Sequence, residues 1–183
     1  FPVLVVERPG AATGGAAASR WLLTVFGKRG AEEFTRALDG RRVRFEGSLI
    51  HRDGAVMVEL LPESLVALEE SPSTKPEEAT WEPVTLQGEI VDSKCFLGVM
   101  KPGNLKTHRA CAARCISGGV PPVLLVRGEG GDASYYLLVG PEGQAVNERV
   151  LPYVAEPIEV VGSLSMRGDL RILRADPSGF RRL

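Results

Sequence analysis

The sequence predicts an all-β fold built from two small barrels in tandem, the first of them incomplete. Two observations indicate this fold. The chain contains an internal repeat, and the second copy shows short segments of alternating apolar residues separated by turn residues, the pattern of half-buried strands. A length of 183 residues fits two small domains, and a hydrophobic content of 44% is enough to fill their cores.

The internal repeat has a constant offset. A shift of 115 positions places residues 21–60 on residues 136–175 without a gap. The matching positions include Leu22 with Leu137, Leu23 with Leu138, and Gly47-Ser48-Leu49 with Gly162-Ser163-Leu164. Upstream, Pro2–Val6 matches Pro122–Val126 after a loop five residues longer in the first copy. Because a shared apolar spacing indicates one structural unit used twice, the halves are expected to superpose, with Gly47 and Gly162 at the same bend of the fourth strand.

The second copy shows the element order of an OB-fold. Strands are predicted near residues 84–95, 123–127, 134–140, 158–166 and 170–174, with a helical turn at 145–153. Three strands, a helix and two strands is the order of the five-stranded OB barrel. A short helix is also predicted over Thr107–Ser117, inserted between the first two strands, with Thr107 as N-cap and Gly118-Gly119 at its end.

The first copy lacks a first strand. Strands are predicted at 3–7, 20–26, 41–50 and 55–60, with a helix at 30–38, which correspond to the second to fifth strands. An open barrel leaves an unpaired strand edge, to which another segment readily adds. We expect the completing strand to come from residues upstream of Phe1, from the linker or from a partner protein; the alternative is a gap shielded by the Ala/Gly loop at 10–18.

Three regions follow from these patterns. Residues 1–61 are predicted to form an incomplete OB-like barrel, and residues 84–183 an OB-like barrel with the inserted helix. Between them, residues 62–83 are predicted to be a linker, because the stretch from Glu69 to Glu78 has no apolar period and is rich in proline and charge.

Composition and motifs argue against two functional classes. The 22 basic and 23 acidic residues give a net charge of -1, and aromatic residues are only 6%. Nucleic-acid binding usually needs a clustered basic surface and aromatic side chains for base stacking, so oligonucleotide binding is a further alternative suggested by the fold alone. No complete catalytic motif is present, which favours a non-enzymatic role.

One cluster of chemically active residues stands out: Cys95, His108, Cys111 and Cys115. On the predicted helix, the histidine and the last two cysteines share one face, and Cys95 ends the preceding strand. Three thiolates and an imidazole form a tetrahedral zinc set, and the same donors suit copper(I) or an iron–sulfur centre. A structural disulfide from Cys95 to Cys111 or Cys115, or three buried thiols, are the alternatives.

The sequence around this cluster resembles a known group of proteins. The run Gly88–Cys95, followed by His108-Arg109-Ala110-Cys111-Ala112-Ala113-Arg114-Cys115-Ile116 and Gly118-Gly119-Val120-Pro121, is similar to the C…H-x-x-C-A-x-x-C-I pattern of small, mostly uncharacterised bacterial cell-envelope proteins with an OB-like barrel. The resemblance covers roughly residues 86–175. It implies an extracytoplasmic location and brings no established activity.

These observations predict a non-enzymatic cell-envelope protein or an accessory subunit of a membrane complex, its second barrel organised by a Cys₃His metal site. A thiol-redox or electron-transfer component using the same cluster is the alternative. We expect a protein partner or a membrane complex. The abrupt apolar start at Phe1 predicts a removed signal or a membrane anchor upstream, since no apolar run in the chain approaches the roughly 20 residues of a membrane span.

Overall fold

The computed structural model describes residues 1–7, 18–68, 79–128, 130 and 132–183. The elements of the first half are β1 (Val3–Glu7), β2 (Ala18–Val25), β3 (Arg29–Gly30), α1 (Glu32–Thr35), β4 (Val43–Arg44), β5 (Gly47–Arg52), β6 (Ala55–Leu60) and β7 (Val66–Ala67). Short 3₁₀ turns at Arg36–Leu38 and Pro62–Ser64 connect them. The predicted strands and helix of this half are therefore present, with the predicted strand 41–50 divided between β4 and β5.

The second half contains the elements β8 (Glu82–Asp92), α2 (Arg109–Ser117), β9 (Pro122–Arg127), β10 (Ala133–Val139), α3 (Asn147–Val150), β11 (Pro157–Arg167), β12 (Leu170–Arg174) and β13 (Arg181–Arg182). A π-helical turn follows β8 at Cys95–Val99, and 3₁₀ turns lie at Lys106–His108, Leu151–Tyr153 and Pro177–Gly179. Part of the predicted glycine-rich turn between β9 and β10, residues 129 and 131, lies outside the described residues.

The second half is a closed five-stranded barrel. Its strands run in the order β12-β10-β9-β8-β11, and β11 pairs with β12 to close the ring. All neighbours are antiparallel except β10 and β12, which are parallel. With α3 between the third and fourth strands and α2 between the first and second, this is the predicted OB-like order.

The strand registers confirm the internal repeat residue by residue. In the first half, parallel β2 and β6 place Leu22 opposite Met57. In the second half, β10 and β12 place Leu137 opposite Ile172, each residue 115 positions further along. The antiparallel pairs repeat in the same way, since Ser48 lies opposite Glu59 and Ser163 opposite Arg174. The alternating apolar pattern fixes register because a shift by one residue would turn every core side chain to solvent.

The first half is an open sheet, as expected for a copy that lacks its first strand, and its described residues do not close into a second barrel. Its strands run in the order β1-β2-β6-β5, with β3 also paired to β2. Within the described residues, no strand stands between β1 and β4–β5, the place that β8 fills in the second half. The sheet stays open because the equivalent of β8 is missing from the described part of this half; the loop at 10–18, proposed as a shield, lies largely outside the described residues.

Residues at both ends of the predicted linker are structured. Pro62–Ser64 form a 3₁₀ turn and Val66–Ala67 form β7, which pairs with β4. These elements match Pro177–Gly179 and Arg181–Arg182 of the second half, which extends the repeat beyond its predicted end. At the other end, β8 begins at Glu82, and the middle of the predicted linker, residues 69–78, lies outside the described residues. The division into domains stays a prediction.

The two halves pack against each other through an apolar interface. Leu22 and Met57 of the open sheet lie in one buried cluster with Val123, Leu125 and other outward-facing residues of the barrel. Alternate residues of the same barrel strands, such as Leu124 and Leu138, fill the barrel interior. Burying such a side chain contributes about 1.5–3 kcal/mol, so β9 and β10 stabilise the fold through both of their faces. This explains the unbroken apolar runs Val123–Leu125 in β9 and Leu137–Val139 in β10.

The two repeat glycines lie where a side chain cannot fit. A Cβ on Gly162 would meet the carbonyl oxygen of Arg174 at 2.2 Å, and one on Gly47 would meet that of Glu59 at 2.6 Å. Because these two contacts are 115 positions apart, the close strand approach is itself repeated, as predicted.

We expect Gly162→Ala to destabilise the barrel by about 1–3 kcal/mol, because two backbone segments would have to separate. Urea unfolding followed by circular dichroism measures this change. Gly179→Ala is the matched control, since a Cβ there has nothing within 4 Å. Equal unfolding midpoints for the two variants would contradict the expectation.

Candidate metal centre

Three elements of the second half bring the cysteines together. Cys95 follows the end of β8 and begins the π-helical turn, while Cys111 and Cys115 lie one turn apart on α2. The sulfur of Cys95 is 4.0 Å from the sulfurs of both other cysteines. Cys95 and Cys115 are buried and Cys111 is half-buried. The predicted convergence of the three thiols is therefore present in the structure, and the trio forms a group that could hold a metal ion.

The sulfur spacing is that of separate sulfurs rather than of a disulfide. All three cysteines are free, and a disulfide would need two sulfurs about 2.05 Å apart. In a tetrahedral zinc site with bonds of about 2.3 Å, neighbouring sulfurs stand about 3.8 Å apart. The observed separations of 4.0 Å are close to that value. The arrangement of the sulfurs thus fits a metal-binding trio as well as three free thiols joined by hydrogen bonds, and it contains none of the disulfides considered from the sequence.

His108 lies beside one member of this trio, Cys95. Ligand atoms of Asp92, Cys95 and His108 lie within 4.8 Å of one another and form a second group able to hold a metal, which shares Cys95 with the first. His108 is buried, and its Nε2 lies 3.2 Å from Oδ2 of Asp92. The four predicted ligands therefore lie together as two overlapping groups, with the imidazole beside Cys95 rather than at equal reach of all three sulfurs.

Asp92 holds both sides of the site in place. Its carboxylate is fully buried at the end of β8, where Oδ1 accepts a hydrogen bond of 2.8 Å from the backbone N–H of Cys95. Its other oxygen meets the imidazole of His108. A carboxylate hydrogen-bonded to one ring nitrogen fixes the orientation of the imidazole and leaves the other nitrogen free to bind a metal ion. Sequence reasoning missed this role, although Asp92 stands within the quoted motif.

The start of the inserted helix differs from its prediction. Residues 106–108 form a 3₁₀ turn, and α2 begins only at Arg109. His108 occupies the N-cap position in place of Thr107, and no side chain caps the helix. The side chain of His108 is directed to Asp92 and therefore does not cap the helix. Gly118 ends the helix as predicted.

A lysine of the first half contacts one of the cysteine sulfurs. Lys28, in the turn between β2 and β3, places Nζ 2.8 Å from the sulfur of Cys111. The hydrogen bond to Cys111 is the main reason that the pKa of Lys28 lies above its ordinary value. An ammonium group next to sulfur favours the thiolate, which is the form that binds metals. Nothing in the local sequence of Gly27-Lys28-Arg29-Gly30 indicates this contact, because it depends on how the halves pack.

The cysteine sulfurs share protons unequally. The hydrogen bond between Cys95 and Cys115, reinforced by burial, raises the pKa of Cys95 well above its ordinary range. The same hydrogen bond lowers the pKa of Cys115, because it stabilises the thiolate form of Cys115. Cys115 is thus the thiol of this pair that gives up its proton first.

A second lysine connects the site to the first half. Lys94, directly before Cys95, is only 3% exposed. Its Nζ lies 2.7 Å from the carbonyl oxygens of Val25 and Gly27 and 2.5 Å from Oε2 of Glu59. Three acceptors match the three donors of an ammonium group. Nearby, the backbone N–H of Gly30 donates to the carbonyl of Gly118 at the end of α2. The candidate metal centre therefore lies directly at the interface of the two halves.

Among the described residues there is no helix with the length and apolar character that a membrane crossing requires. The chain matches no protein-family model and no curated protein.

Proposed function

We propose that Cys95, Cys111 and Cys115, with His108 as the fourth ligand, bind a zinc ion that organises the second barrel and its contact with the first half. The observation that supports this most directly is the group of three free sulfurs, in which Cys95 lies 4.0 Å from each of the other two, near the separation in a tetrahedral site. A small movement of the imidazole towards the sulfurs would complete the set. Four protein ligands make a closed structural site rather than a catalytic one, which keeps an open position.

The donor chemistry favours zinc over the alternatives. Thiolates and imidazole are the usual ligands of structural zinc, and the Asp92–His108 pair is the kind of outer contact that such sites have. Copper(I) or an iron–sulfur centre would use the same sulfurs. The metal would fix α2 and the turn after β8 to each other, since the cysteines lie on both.

We infer a non-enzymatic role in the cell envelope, as an accessory subunit of a membrane complex. The location is supported by the resemblance of the Cys/His motif to bacterial cell-envelope proteins. The accessory role is supported by the site itself, because its ligands are buried, with only Cys111 half-buried, and serve to join elements.

Elemental analysis of the purified protein tests the metal proposal. We expect about one zinc per chain, and a thiol count that rises from near zero in the native protein to about three after denaturation in a chelator. Reconstitution of the apoprotein with cobalt(II) should give the visible absorption bands of a tetrahedral thiolate site. A protein that takes up neither ion when prepared under reducing conditions would overturn the proposal.

The His108 ligand has its own prediction. We expect His108→Ala to weaken zinc binding by at least about 10–100-fold, the loss seen even when only an outer contact of a ligand is removed. Competition with a chromophoric chelator measures the affinity. His51→Ala is the matched control, because His51 is the other histidine of the chain and is exposed on β5. An unchanged zinc affinity in His108→Ala would leave a site of three cysteines without the histidine.

One observation favours a second candidate function, a thiol-redox component. Cys111 is half-buried and bonded to Lys28, the setting of a reactive thiolate. A metal-free protein whose thiol count falls reversibly from three to one on mild oxidation would favour this function over the zinc site, because two thiols would have formed a disulfide.

A further inference from the structure

A groove lies along the open edge of the first half. It has a volume of about 910 Å³ and runs between β1 on one side and residues 41–45 on the other. These two edges correspond to β9 and β11 of the barrel. In the second half, β8 lies between them, paired with β9 over residues 89–92 and with β11 over residues 82–89. The groove therefore has the position and the walls of a missing β-strand.

Burial of equivalent residues shows that the groove lacks a strand. Four apolar side chains of the barrel are almost fully buried: Leu124 0%, Ile158 0%, Val160 0% and Phe180 8% exposed. Their counterparts in the repeat, Leu4, Val43, Phe45 and Leu65, line the groove and are only half-buried. In the barrel, Val84, Leu86 and Ile90 of β8 belong to the same core cluster. The half-buried side chains thus indicate an occupant with branched apolar residues at alternate positions.

At two positions on its rim, the groove has a charge opposite to that of the barrel. Arg41 and Arg44 occupy the positions of Glu156 and Glu159 in the repeat. In the barrel, Gln87 of β8 donates from Nε2 to Oε2 of Glu159 across the strands. Arg44 is exposed and has no ion pair with another described residue. An acidic side chain at the position of Gln87 would therefore pair with Arg44 across the strands.

We propose that this groove binds an extended segment of another protein by β-strand addition, a segment with branched apolar residues at alternate positions and an acidic residue facing Arg44. Strand addition uses the free backbone edge for affinity and side-chain contacts for specificity. Residues 8–17 and 69–78 of this chain contain no leucine, isoleucine, valine or phenylalanine, so their sequences do not meet the requirement. The β8 strand of a second copy is already built into its own barrel.

A synthetic peptide tests the proposal. The probe is the sequence of residues 82–92 with Gln87→Glu, which copies the strand that fills the equivalent place in the barrel. We expect it to slow amide exchange at residues 3–7 and 43–45 of the native protein by at least roughly tenfold. A peptide with Val84, Leu86 and Ile90 all replaced by serine is the control for the apolar contacts and should give no protection.

A charge exchange tests the specificity. A peptide with Gln87→Lys should bind roughly tenfold more weakly than the Gln87→Glu peptide, and Arg44→Glu in the protein should reverse this order. Arg44 is exposed, so the substitution leaves the fold intact. No protection at the two edges, or equal binding of the serine peptide, would overturn the proposal. Strong protection of residues 3–7 and 43–45 in the absence of peptide would also overturn it if this protection increased with protein concentration. A second copy of the chain would then be the occupant.

Discussion

Cys115→Ser should prevent binding of the proposed zinc ion and loosen the contact between the two halves. Cys115 is 1% exposed, and its sulfur lies against that of Cys95. Serine is a poor zinc ligand in such a site, so the expected metal content falls from about one per chain to near zero. The loss of a bound ligand lowers stability by about 4 kcal/mol when free zinc exceeds its dissociation constant a thousandfold. Chemical unfolding at fixed free zinc measures this difference.

The control for this variant lies on the same helix. Ala110→Ser also adds a hydroxyl group to α2, but at an exposed position, and should leave metal content and stability unchanged. In excess chelator, the wild type should lose most of its advantage over Cys115→Ser. If the free energies of unfolding of the wild type and Cys115→Ser differ as much in chelator as in zinc, the difference comes from packing of the Cys115 sulfur and not from a metal.

The positions and pairing of the strands could be predicted because they depend on the local spacing of apolar residues. Leu22 and Leu137 stand at equal positions of matching patterns, and their partners Met57 and Ile172 follow at the same distance. Closure of a barrel depends on whether a strand is present between two edges, and it was comparison of the two copies that predicted the missing strand of the first half. The alternation within β1 and β5 is the same in an open sheet and in a barrel, so the sequence pattern of these strands alone does not separate the two.

The convergence of the cysteines and His108 could be predicted, whereas the groups around them could not. Cysteine and histidine spacing on one helix face gives the cluster directly. Lys28 and Lys94 act across the interface, and lysines in polar runs are usually exposed.

One feature of the sequence did indicate that the halves pack together. The continuous apolar runs Val123-Leu124-Leu125 and Leu137-Leu138-Val139 are longer than a one-sided strand needs, and both faces are buried here.

The buried ammonium group of Lys94 is expected to be a main connection between the halves. Lys94→Met keeps the length of the side chain but leaves two carbonyl oxygens and the Glu59 carboxylate without their donor. Removing one partner of a buried pair costs about 3–5 kcal/mol. Because the Glu59 side chain is 26% exposed, water can replace part of this contact, and we expect the lower end of that range. Lys106→Met, at a 76% exposed side chain, is the control and should change stability by less than about 0.5 kcal/mol.

A double variant separates the charge from the carbonyl contacts. In Lys94→Met with Glu59→Gln, no carboxylate is left unpaired, so the double variant should be more stable than the sum of the two single losses predicts. Amide exchange should increase at residues 25–30, the segment that carries the carbonyl groups of Val25 and Gly27. The proposed zinc content should stay near one per chain. Additive losses would show that the Glu59 carboxylate contributes little through Lys94. A loss of less than about 0.5 kcal/mol in Lys94→Met, with unchanged exchange at residues 25–30, would show that Lys94 contributes little to the contact between the halves.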